Sequence, residues 1–496
     1  MSAFDLDRDA CYRALLARDP RFDGRFFTAV KTTGIFCRPI CPARTPKLEN
    51  CIFLPSAAAA HQMGFRPCLR CRPEVAPGLA VWRGSANTVN RALHLIAEGA
   101  MDEDGVDALA DRLGVGARHL RRLFDQHVGA SPVQVAQTHR LLFAKSLINE
   151  TQLSMTDVAL ASGFGSVRRF NAAMQATYKR PPTELRRAFK AASPEAAGVT
   201  LKLPFTPPYD WAAMTQFLSP RAIPGIEVVE PDCYRRSFRL DRAEGVVEVR
   251  PVADANHLLA TIRTSDISGL ATIVARLRRL FDLDADIAAI DAHLAADPLL
   301  AWRVAERPGL RVPGAWDGFE LAVRAVLGQQ VSVRAATTFA GRLAAAHGAP
   351  LATPDPRGPD RVFPTPEAVA EADLTAIGLT RARAATLNAL GHAMAADRHL
   401  LRAHETLEET TEKLTALPGI GPWTAQYVAM RALREPDAFP ASDLGLMRAM
   451  EVAGVRPSPT QLAATAEAWR PWRAYAALRL WMQPAPAEPP ALAIAS

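Results

Sequence analysis

LPGIGPWTAQY, residues 417–427, is the stretch that decides how the second half of this chain folds. Gly419 and Gly421 permit a tight turn between two helices, and the backbone amides that open the second helix can hold a phosphate without sequence preference. An ordinary helical corner accounts for the same letters about equally well. Further on, Pro440 leads to Asp443, which is as well suited to capping the next helix as to catalysis. The stretch therefore predicts a helix-hairpin-helix whose function its own residues leave open.

The sequence around this hairpin changes character several times and predicts a multidomain, mainly α protein. A length of 496 residues is too great for one compact core and favours three or four domains. Segments 246–250 and 258–263 read as neighbouring strands, followed by an amphipathic stretch at 267–281. The predicted divisions are a small loop-rich unit at 1–78, a helical unit at 84–190, a linker at 191–200, an α+β unit at 201–310, an all-α unit at 311–483 and a disordered tail at 484–496.

Charge is distributed unevenly along the chain. The formal net charge is +7, but residues 1–190 carry 27 Lys or Arg against 17 Asp or Glu, whereas the rest carries 31 against 34. A basic surplus confined to the first part indicates that this part meets a polyanion. The chain begins without the pattern of a secretory signal and has no apolar run of about 18 residues, so we expect a cytoplasmic protein with no membrane partner.

Four cysteines have the spacing of a zinc site. Cys37 and Cys41 form one close pair, Cys68 and Cys71 another, and 26 residues separate the pairs. Two turns of this kind deliver four thiolates to one tetrahedral zinc. A purely structural zinc is one interpretation; the other is that a zinc with four thiolates, of net charge −2, makes a sulfur electron-rich enough to accept an alkyl group. Three further cysteines lack such partners and are predicted to be small buried hydrophobes: Cys11, Cys51 and Cys233.

Two helix-turn-helix patterns follow the cysteine region. The first joins helices at 106–113 and 117–128 through Gly114, and the second joins 156–161 to a helix capped by Ser166 that is predicted to bury Val167, Phe170 and Met174. Arg, Asn and Gln on an exposed helix are the side chains that read guanine and adenine edges, although helical hairpins of this kind are also common as plain cores. The outward-facing residues are predicted to be Arg118, His119, Arg121, Arg122 and Gln126 in the first unit, and Arg168, Arg169, Asn171 and Gln175 in the second.

Longer stretches in the first half resemble known families. FTAVKTTGIFCRPICPARTPKLEN at 27–50 and GFRPCLRCRPE at 64–74 resemble the amino-terminal domain of the Ada family over nearly all of 1–78. VALASGFGSVRRFNAAMQATYKRPPTELRR at 158–187 resembles the signature of AraC-type regulators. The resemblance implies a small α+β zinc domain in which Cys37 accepts a methyl group from a DNA methylphosphotriester, and a double helix-turn-helix domain that binds promoter DNA and activates transcription with RNA polymerase as partner, at the nucleoid. Nearby candidates for phosphate contact are Arg44, Lys47, Arg66, Arg70 and Arg72.

The second half resembles another family. PPYDWAAMTQFL at 207–218, GFELAVRAVLGQQVSV at 318–333, the hairpin stretch and EAWRPWRAYAALRLW at 467–481 resemble 3-methyladenine DNA glycosylase II (AlkA) of the helix-hairpin-helix superfamily, over about 201–483. The resemblance implies an α+β amino-terminal subdomain and an all-α glycosylase domain, with Asp443 as the catalytic aspartate. It also implies a base pocket of Phe217, Trp423, Tyr427 and Trp481, phosphate contacts at Gly419 and Gly421, and a monovalent cation on the carbonyls of Thr415, Leu417 and Ile420.

Departures from related patterns refine this expectation. Trp423 stands where bifunctional relatives carry a Schiff-base lysine, so base removal without strand cleavage is predicted. Because no cysteine follows Cys233, the iron–sulfur cluster of those relatives is not expected. Gln330, assigned to DNA contact, stands where the AlkA pattern has a leucine that wedges into the base stack. The chain also lacks the Pro-Cys-His-Arg motif of methylguanine methyltransferases, so direct repair of O6-methylguanine is not expected.

The sequence thus predicts a fusion of three activities against DNA alkylation: methylphosphotriester methyl acceptor, double-stranded DNA-binding transcription regulator and alkylated-base glycosylase. One alternative stays open, a transcription regulator with a structural zinc and a catalytically inactive glycosylase-like DNA clamp. The two interpretations differ in whether base release from methylated DNA depends on Asp443.

Overall fold

The computed structural model describes most of the chain. The described ranges are 7–77, 86–101, 105–187, 198–241, 243–354, 358–401, 406–452 and 454–482. The predicted tail at 484–496 and most of the predicted linker at 191–200 lie outside them. Among the helices in these ranges, none combines the length and the apolar character needed to cross a bilayer.

The first unit is a small sheet with two helices. Its strands lie in the order β3 (Cys51–Leu54), β1 (Phe27–Val30), β2 (Ile35–Cys37) and β4 (Arg66–Pro67), antiparallel except that β2 and β4 run parallel. Cys37 ends β2 and Cys68 directly follows β4, so this parallel pair brings the two cysteine pairs to one end of the sheet. The helices are α1 (Arg8–Ala17) and α2 (Ala57–Gln62).

The second unit is entirely helical among its described residues. Gly114, with a φ of 73°, makes the turn between the first two predicted helices, and Ser166 caps the last long one by accepting a hydrogen bond from the Arg169 N–H. The helices are α3 (Ala86–Ala97), α4 (Val106–Leu113), α5 (Ala117–His127), α6 (Pro132–Glu150), α7 (Met155–Ala161), α8 (Val167–Tyr178) and α9 (Pro182–Arg187).

One predicted core residue of this unit is wrong. Phe170 and Met174 of α8 are fully buried as expected, but Val167 is 36% exposed. Val167 is the first residue of the helix, and the ring of Phe164 from the preceding turn packs edge-on against Phe170 at 5.5 Å. The turn therefore covers the end of the core that Val167 was expected to cover.

The third unit is a five-stranded antiparallel sheet with helices. The strands lie in the order β5 (Val199–Pro204), β9 (His257–Thr264), β8 (Glu244–Pro251), β7 (Cys233–Arg239) and β6 (Glu227–Glu230). The two strands predicted from sequence pair directly, with Val246 opposite Arg263. The helices are α10 (Trp211–Leu218), α11 (Leu270–Leu280), α12 (Ile287–Leu294) and α13 (Pro298–Glu306).

The last unit is a set of helices that divides between two hydrophobic cores. Ile420, Ala425 and Val428 belong to one core together with the helices before them. The final helices instead join the core of the five-stranded sheet, which also takes in the second half of the helix-turn-helix unit. The helices are α14 (Gly318–Leu327), α15 (Val333–His347), α16 (Pro366–Ala370), α17 (Arg381–Ala396), α18 (Leu407–Thr415), α19 (Pro422–Arg431), α20 (Leu444–Ala449), α21 (Pro459–Ala466) and α22 (Arg473–Met482).

The first three units meet at a buried ion pair. Arg72, next to the last cysteine of the cluster, donates to Glu150 at the end of α6 at 2.7 Å. The other oxygen of Glu150 accepts a hydrogen bond from the Lys202 N–H of β5 at 3.0 Å. Arg72 also pairs with Glu74. This placement differs from the expectation that Arg72 contacts phosphate, since its guanidinium is engaged at a junction between units.

A test of this junction is the variant Glu150→Gln. Loss of the charge at a carboxylate that is 7% exposed and accepts two hydrogen bonds is expected to cost about 1 to 3 kcal/mol. Urea unfolding of the full chain should show the loss as a lower midpoint. Glu49→Gln is the matched control, since the Glu49 side chain is 73% exposed and lies 4.0 Å from Lys47. Equal midpoints for the two variants would contradict the role of the junction.

Candidate functional site

The four cysteines of the two close pairs meet in space. Their sulfurs all lie within 4.8 Å of one another, and Cys41, Cys68 and Cys71 are buried whereas Cys37 is half-buried. Sulfurs around a tetrahedral zinc with Zn–S bonds of about 2.3 Å lie about 3.8 Å apart, so the cluster fits that ion. The three remaining cysteines are buried elsewhere, and burial raises the pKa of Cys11 and of Cys233 to about 11, which makes them poor nucleophiles.

Arg38 is a residue of this centre that sequence reasoning missed. Its backbone N–H points to the Cys71 sulfur at 3.4 Å, and its side chain donates to the Cys71 carbonyl at 3.1 Å. The guanidinium also forms a buried ion pair with Asp23. Only its position directly after Cys37 could have signalled this. Arg38 therefore links the two halves of the cysteine cluster.

The basic residues expected to contact DNA are mostly on the surface. Around the cysteine cluster, Arg44, Lys47 and Arg70 are exposed and Arg66 is half-buried. In the helix-turn-helix unit, the predicted outward side chains are exposed except His119, which is half-buried and lies 3.0 Å from Arg122. The exposed residues of α5 and α8 are Arg118, Arg121, Arg122, Gln126, Arg168, Arg169, Asn171 and Gln175.

The Asp443 carboxylate is held by three N–H groups. Asp443 is the N-cap of α20, and its Oδ1 accepts from the Leu446 backbone N–H at 3.0 Å. The same oxygen accepts from the indole of Trp481 at 2.9 Å, and Oδ2 accepts from the indole of Trp423 at 2.8 Å. These three donors fix the positions of both carboxylate oxygens. Capping and a chemical role, which the sequence left as alternatives, are therefore compatible in one residue.

Three of the four predicted pocket residues adjoin this carboxylate. Trp423 and Tyr427 lie one turn apart on α19, with their rings stacked at 5.3 Å and 11°. Tyr427 lies 6.2 Å from Trp481 of α22. The fourth, Phe217 of α10, is 3% exposed and meets this group through Arg431, whose guanidinium lies over both the Phe217 and the Tyr427 rings. Because Tyr427 packs against one core and Trp481 against the other, the aromatic cluster of Trp423, Tyr427 and Trp481 lies at the seam between them.

The hairpin lies beside this aromatic cluster. Gly419 has a φ of 75°, and a Cβ there would approach the Thr386 hydroxyl to 2.1 Å, so glycine is required for both conformation and space. Gly421 is the N-cap of α19 and is exposed. Gln329, missed in the sequence, donates to the Gly419 carbonyl at 3.0 Å. The following residue, Gln330, is exposed with a φ of 57°, so Gln329 braces the hairpin while Gln330 extends into solvent.

Four family models match successive parts of the chain. They are the metal binding domain of Ada at 10–74, a helix-turn-helix domain at 109–188, the AlkA N-terminal domain at 200–317 and the HhH-GPD superfamily base excision DNA repair protein at 323–474.

Curated proteins and a solved structure are similar as well. A Mycobacterium tuberculosis protein described as a probable bifunctional transcriptional activator/DNA repair enzyme AlkA is 45% identical over 480 residues, 96% of each chain. DNA-3-methyladenine glycosylase 2 of Escherichia coli is 35% identical over 56% of this chain and 95% of its own. The E. coli bifunctional transcriptional activator/DNA repair enzyme Ada is 36% identical over 32% of this chain and 43% of its own. A 3-methyladenine DNA-glycosylase structure from Archaeoglobus fulgidus covers 57% of this chain and 97% of its own, with a TM-score of 0.51 and 22% identity, which indicates the same fold.

The cysteine cluster predicts the metal content of the protein. We expect about one zinc per chain, and we expect Cys41→Ala to lose most of it because three thiolates hold zinc less tightly than four. Elemental analysis of the purified full chain measures this directly. Cys233→Ala removes an equally buried thiol outside the cluster and should keep the metal. Full zinc retention by Cys41→Ala would contradict the assignment.

Proposed function

The chain belongs to the family of bifunctional transcriptional activator/DNA repair enzymes that join an Ada-type zinc domain and a helix-turn-helix to an AlkA-type glycosylase, and from this we propose how its residues divide the work. The carboxy-terminal half hydrolyses the N-glycosidic bond of alkylated bases such as 3-methyladenine. The observation that carries this proposal is the Asp443 carboxylate held beside three aromatic rings by two indole N–H groups.

The pocket suits a flipped, positively charged base. An alkylated purine is cationic and already a good leaving group, and the faces of Trp423, Tyr427 and Trp481 favour it by stacking and cation–π attraction once it leaves the duplex. As the glycosidic bond breaks, the sugar acquires oxocarbenium character, which the Asp443 carboxylate stabilises while it assists attack by water. The indole of Trp423 occupies the position of the Schiff-base lysine of bifunctional relatives, so we propose hydrolysis without strand cleavage.

DNA is held by groups around the pocket. We propose that the free backbone N–H groups in the first turn of α19, which Gly421 caps, bind a phosphate, and that Gln330 enters the gap left by the flipped base. The carbonyls of Thr415, Leu417 and Ile420 are proposed ligands of a monovalent cation next to that phosphate. The Leu417 carbonyl already accepts the Ile420 N–H at 3.1 Å, which leaves one lone pair for such an ion.

The amino-terminal half is proposed to sense damage and act on promoters. Cys37 is the acceptor, supported by its being the least buried of the four clustered cysteines. Its sulfur forms a bond to the methyl carbon, the C–O bond to the triester oxygen breaks, and a phosphodiester anion leaves. Zinc supplies the charge that keeps the sulfurs as thiolates, and S-methylation lowers the negative charge of the site from −2 to −1, which favours binding to the phosphate backbone. Arg44 and Lys47 are proposed phosphate contacts.

The helix-turn-helix unit is proposed to read promoter DNA. Exposed residues of α5 and α8 supply the base and phosphate contacts, and RNA polymerase is the proposed protein partner at the nucleoid. We also propose the domain division 1–78, 84–190, 201–310 and 311–483, with α20–α22 packed on the core of the preceding α+β domain.

Base release tests the glycosylase proposal. In Asp443→Asn the charge is lost while the shape is kept, and we expect release of 3-methyladenine from methylated DNA to fall by about 10²- to 10³-fold. Asp373→Asn is the control, because Asp373 is exposed and bonds only within its own turn. If wild type and Asp443→Asn release equally little base, the second half is an inactive DNA clamp.

Mass spectrometry tests the acceptor proposal. After incubation with methylphosphotriester DNA, the peptide that contains Cys37 should gain about 14 Da, since a thiolate takes up one methyl group in place of a proton. Peptides with Cys51 or Cys233, whose thiols are buried, should be unchanged. An unmodified Cys37 peptide at full zinc occupancy would leave the zinc purely structural.

A further inference from the structure

Arg431 connects the base pocket to the rest of the domain. It lies one turn after Tyr427 on α19, is 4% exposed, and donates to three different groups. One terminal nitrogen donates to the Tyr427 hydroxyl at 2.7 Å. Nε donates to the Pro313 carbonyl at 2.8 Å, and the other terminal nitrogen donates to the Gly314 carbonyl at 2.9 Å. A guanidinium with all its edges engaged cannot shift without breaking several bonds.

The same guanidinium contacts a second pocket residue. Arg431 lies 4.8 Å from the centre of the Phe217 ring, and Arg221 lies 3.9 Å from it. Arg221 also donates to the Phe217 carbonyl at 2.9 Å, one turn back in the chain. Phe217 is thus held by two cations, one from its own segment and one from α19. Through Arg431, the fixed positions of Phe217 and Tyr427 depend on one another although 210 residues separate them.

The charge around the Phe217 ring and the Tyr427 hydroxyl is positive. Neighbouring Arg236 and Arg324 form ion pairs with Glu320 and Glu227. Within the part of the chain that the structure describes, neither Arg221 nor Arg431 has a carboxylate within ion-pair distance. Asp443 bonds Trp423 and Trp481, on the other side of the aromatic cluster from Phe217. The pocket is therefore polarised along its length.

The Tyr427 hydroxyl lies in this positive field. Burial by itself would raise its pKa, but the charges of Arg431 and Arg221 outweigh burial and lower it. The lowered pKa reflects the same contact as the hydrogen bond from Arg431, which fixes the direction of the hydroxyl and with it the plane of the ring. Arg431 therefore contributes to base binding by holding the Tyr427 ring in place.

We propose that Arg431, supported by Arg221, is a positioning residue of the base pocket, which fixes the Tyr427 hydroxyl and the Phe217 ring and so holds both rings in place for a flipped base. The inference rests on the proposed glycosylase activity. Arg431 itself acts only through these two aromatic residues. Its effect should appear in the step that holds the flipped base, whereas affinity for undamaged DNA, which depends on phosphate contacts, should not change.

Four variants of the full chain test the proposal in single-turnover excision of 3-methyladenine. We expect Arg431→Gln and Arg431→Lys each to slow excision about tenfold, since one ammonium cannot reach three acceptors, with DNA affinity within twofold of wild type. Tyr427→Phe, which removes only the hydroxyl, should slow excision to a similar extent. Combining it with Arg431→Gln should add less than the product of the two separate effects, because both remove the same contact.

The control is Arg311→Lys. Arg311 is 2% exposed, donates to backbone carbonyls and lies over the rings of Phe205 and Tyr209, so its loss destabilises the fold in the same manner without touching the pocket. We expect its excision rate to match wild type. Wild-type rates in both Arg431→Lys and Tyr427→Phe, or slowing in Arg311→Lys as large as in Arg431→Lys, would overturn the positioning role.

A second readout does not depend on catalysis. Ionisation of Tyr427 can be followed by the ultraviolet absorbance of tyrosinate, with Tyr427→Phe subtracted as the blank. Because loss of a nearby cation disfavours the phenolate, the titration midpoint should move to higher pH in Arg431→Gln, and should move less in Arg431→Lys, which keeps the charge. An unchanged midpoint in Arg431→Gln would overturn the contact between Arg431 and the Tyr427 hydroxyl. If wild type releases no base, the glycosylase proposal fails, while this titration still decides whether Arg431 acts on Tyr427.

Discussion

The three hydrogen bonds to the Asp443 carboxylate are the constraint on which the glycosylase half depends. Trp423 comes from α19, which contributes to both hydrophobic cores, whereas Trp481 comes from α22 and Asp443 caps α20, and these two helices belong to the core of the five-stranded sheet. A pocket at a seam between two cores can be open enough to admit a base while each wall stays rigid. Since the two indoles come from different helices and each donates to a different oxygen of Asp443, the carboxylate fixes the distance between α19 and α22 as well as supplying the charge at the reacting end.

The zinc centre follows a similar logic on a smaller scale. Parallel pairing of β2 with β4 brings together two cysteine pairs that are 26 residues apart, and Arg38 joins the halves by donating to the backbone and sulfur of Cys71. Directly beyond Cys71, the Arg72 side chain reaches Glu150 and, through it, the sheet of the third unit. Two contacts, from Arg72 to Glu150 and from Lys202 to Glu150, therefore connect the residue after Cys71 to the helix-turn-helix unit and to the glycosylase half.

The net charge indicates DNA binding by residues 1–190 but gives no sign of DNA binding by the glycosylase half. The proposed DNA contacts of the second half are backbone amides at the hairpin and a pocket of neutral rings, which a count of charged side chains does not include. That count does include several arginines that lie in the interior, where they hold carbonyls, rings and carboxylates. Arg431 is one of them, and its charge acts on Tyr427 instead of on DNA. Among the residues that the structure describes, the arginines that are at most 4% exposed are Arg236, Arg303, Arg311, Arg431 and Arg479.

Local patterns were enough to predict the order of the domains, the paired strands at 246–250 and 258–263, the tight turn at Gly114 and the cap at Ser166, because spacing, periodicity and capping act between near neighbours in the chain. Those patterns could not predict that Phe164 would displace Val167 from the core or that Arg72 would turn inward to Glu150. They also could not predict that Arg431 would join Phe217 to Tyr427. Each of these outcomes depends on which distant segment packs alongside, and side-chain direction at such contacts is decided only when the whole chain has folded.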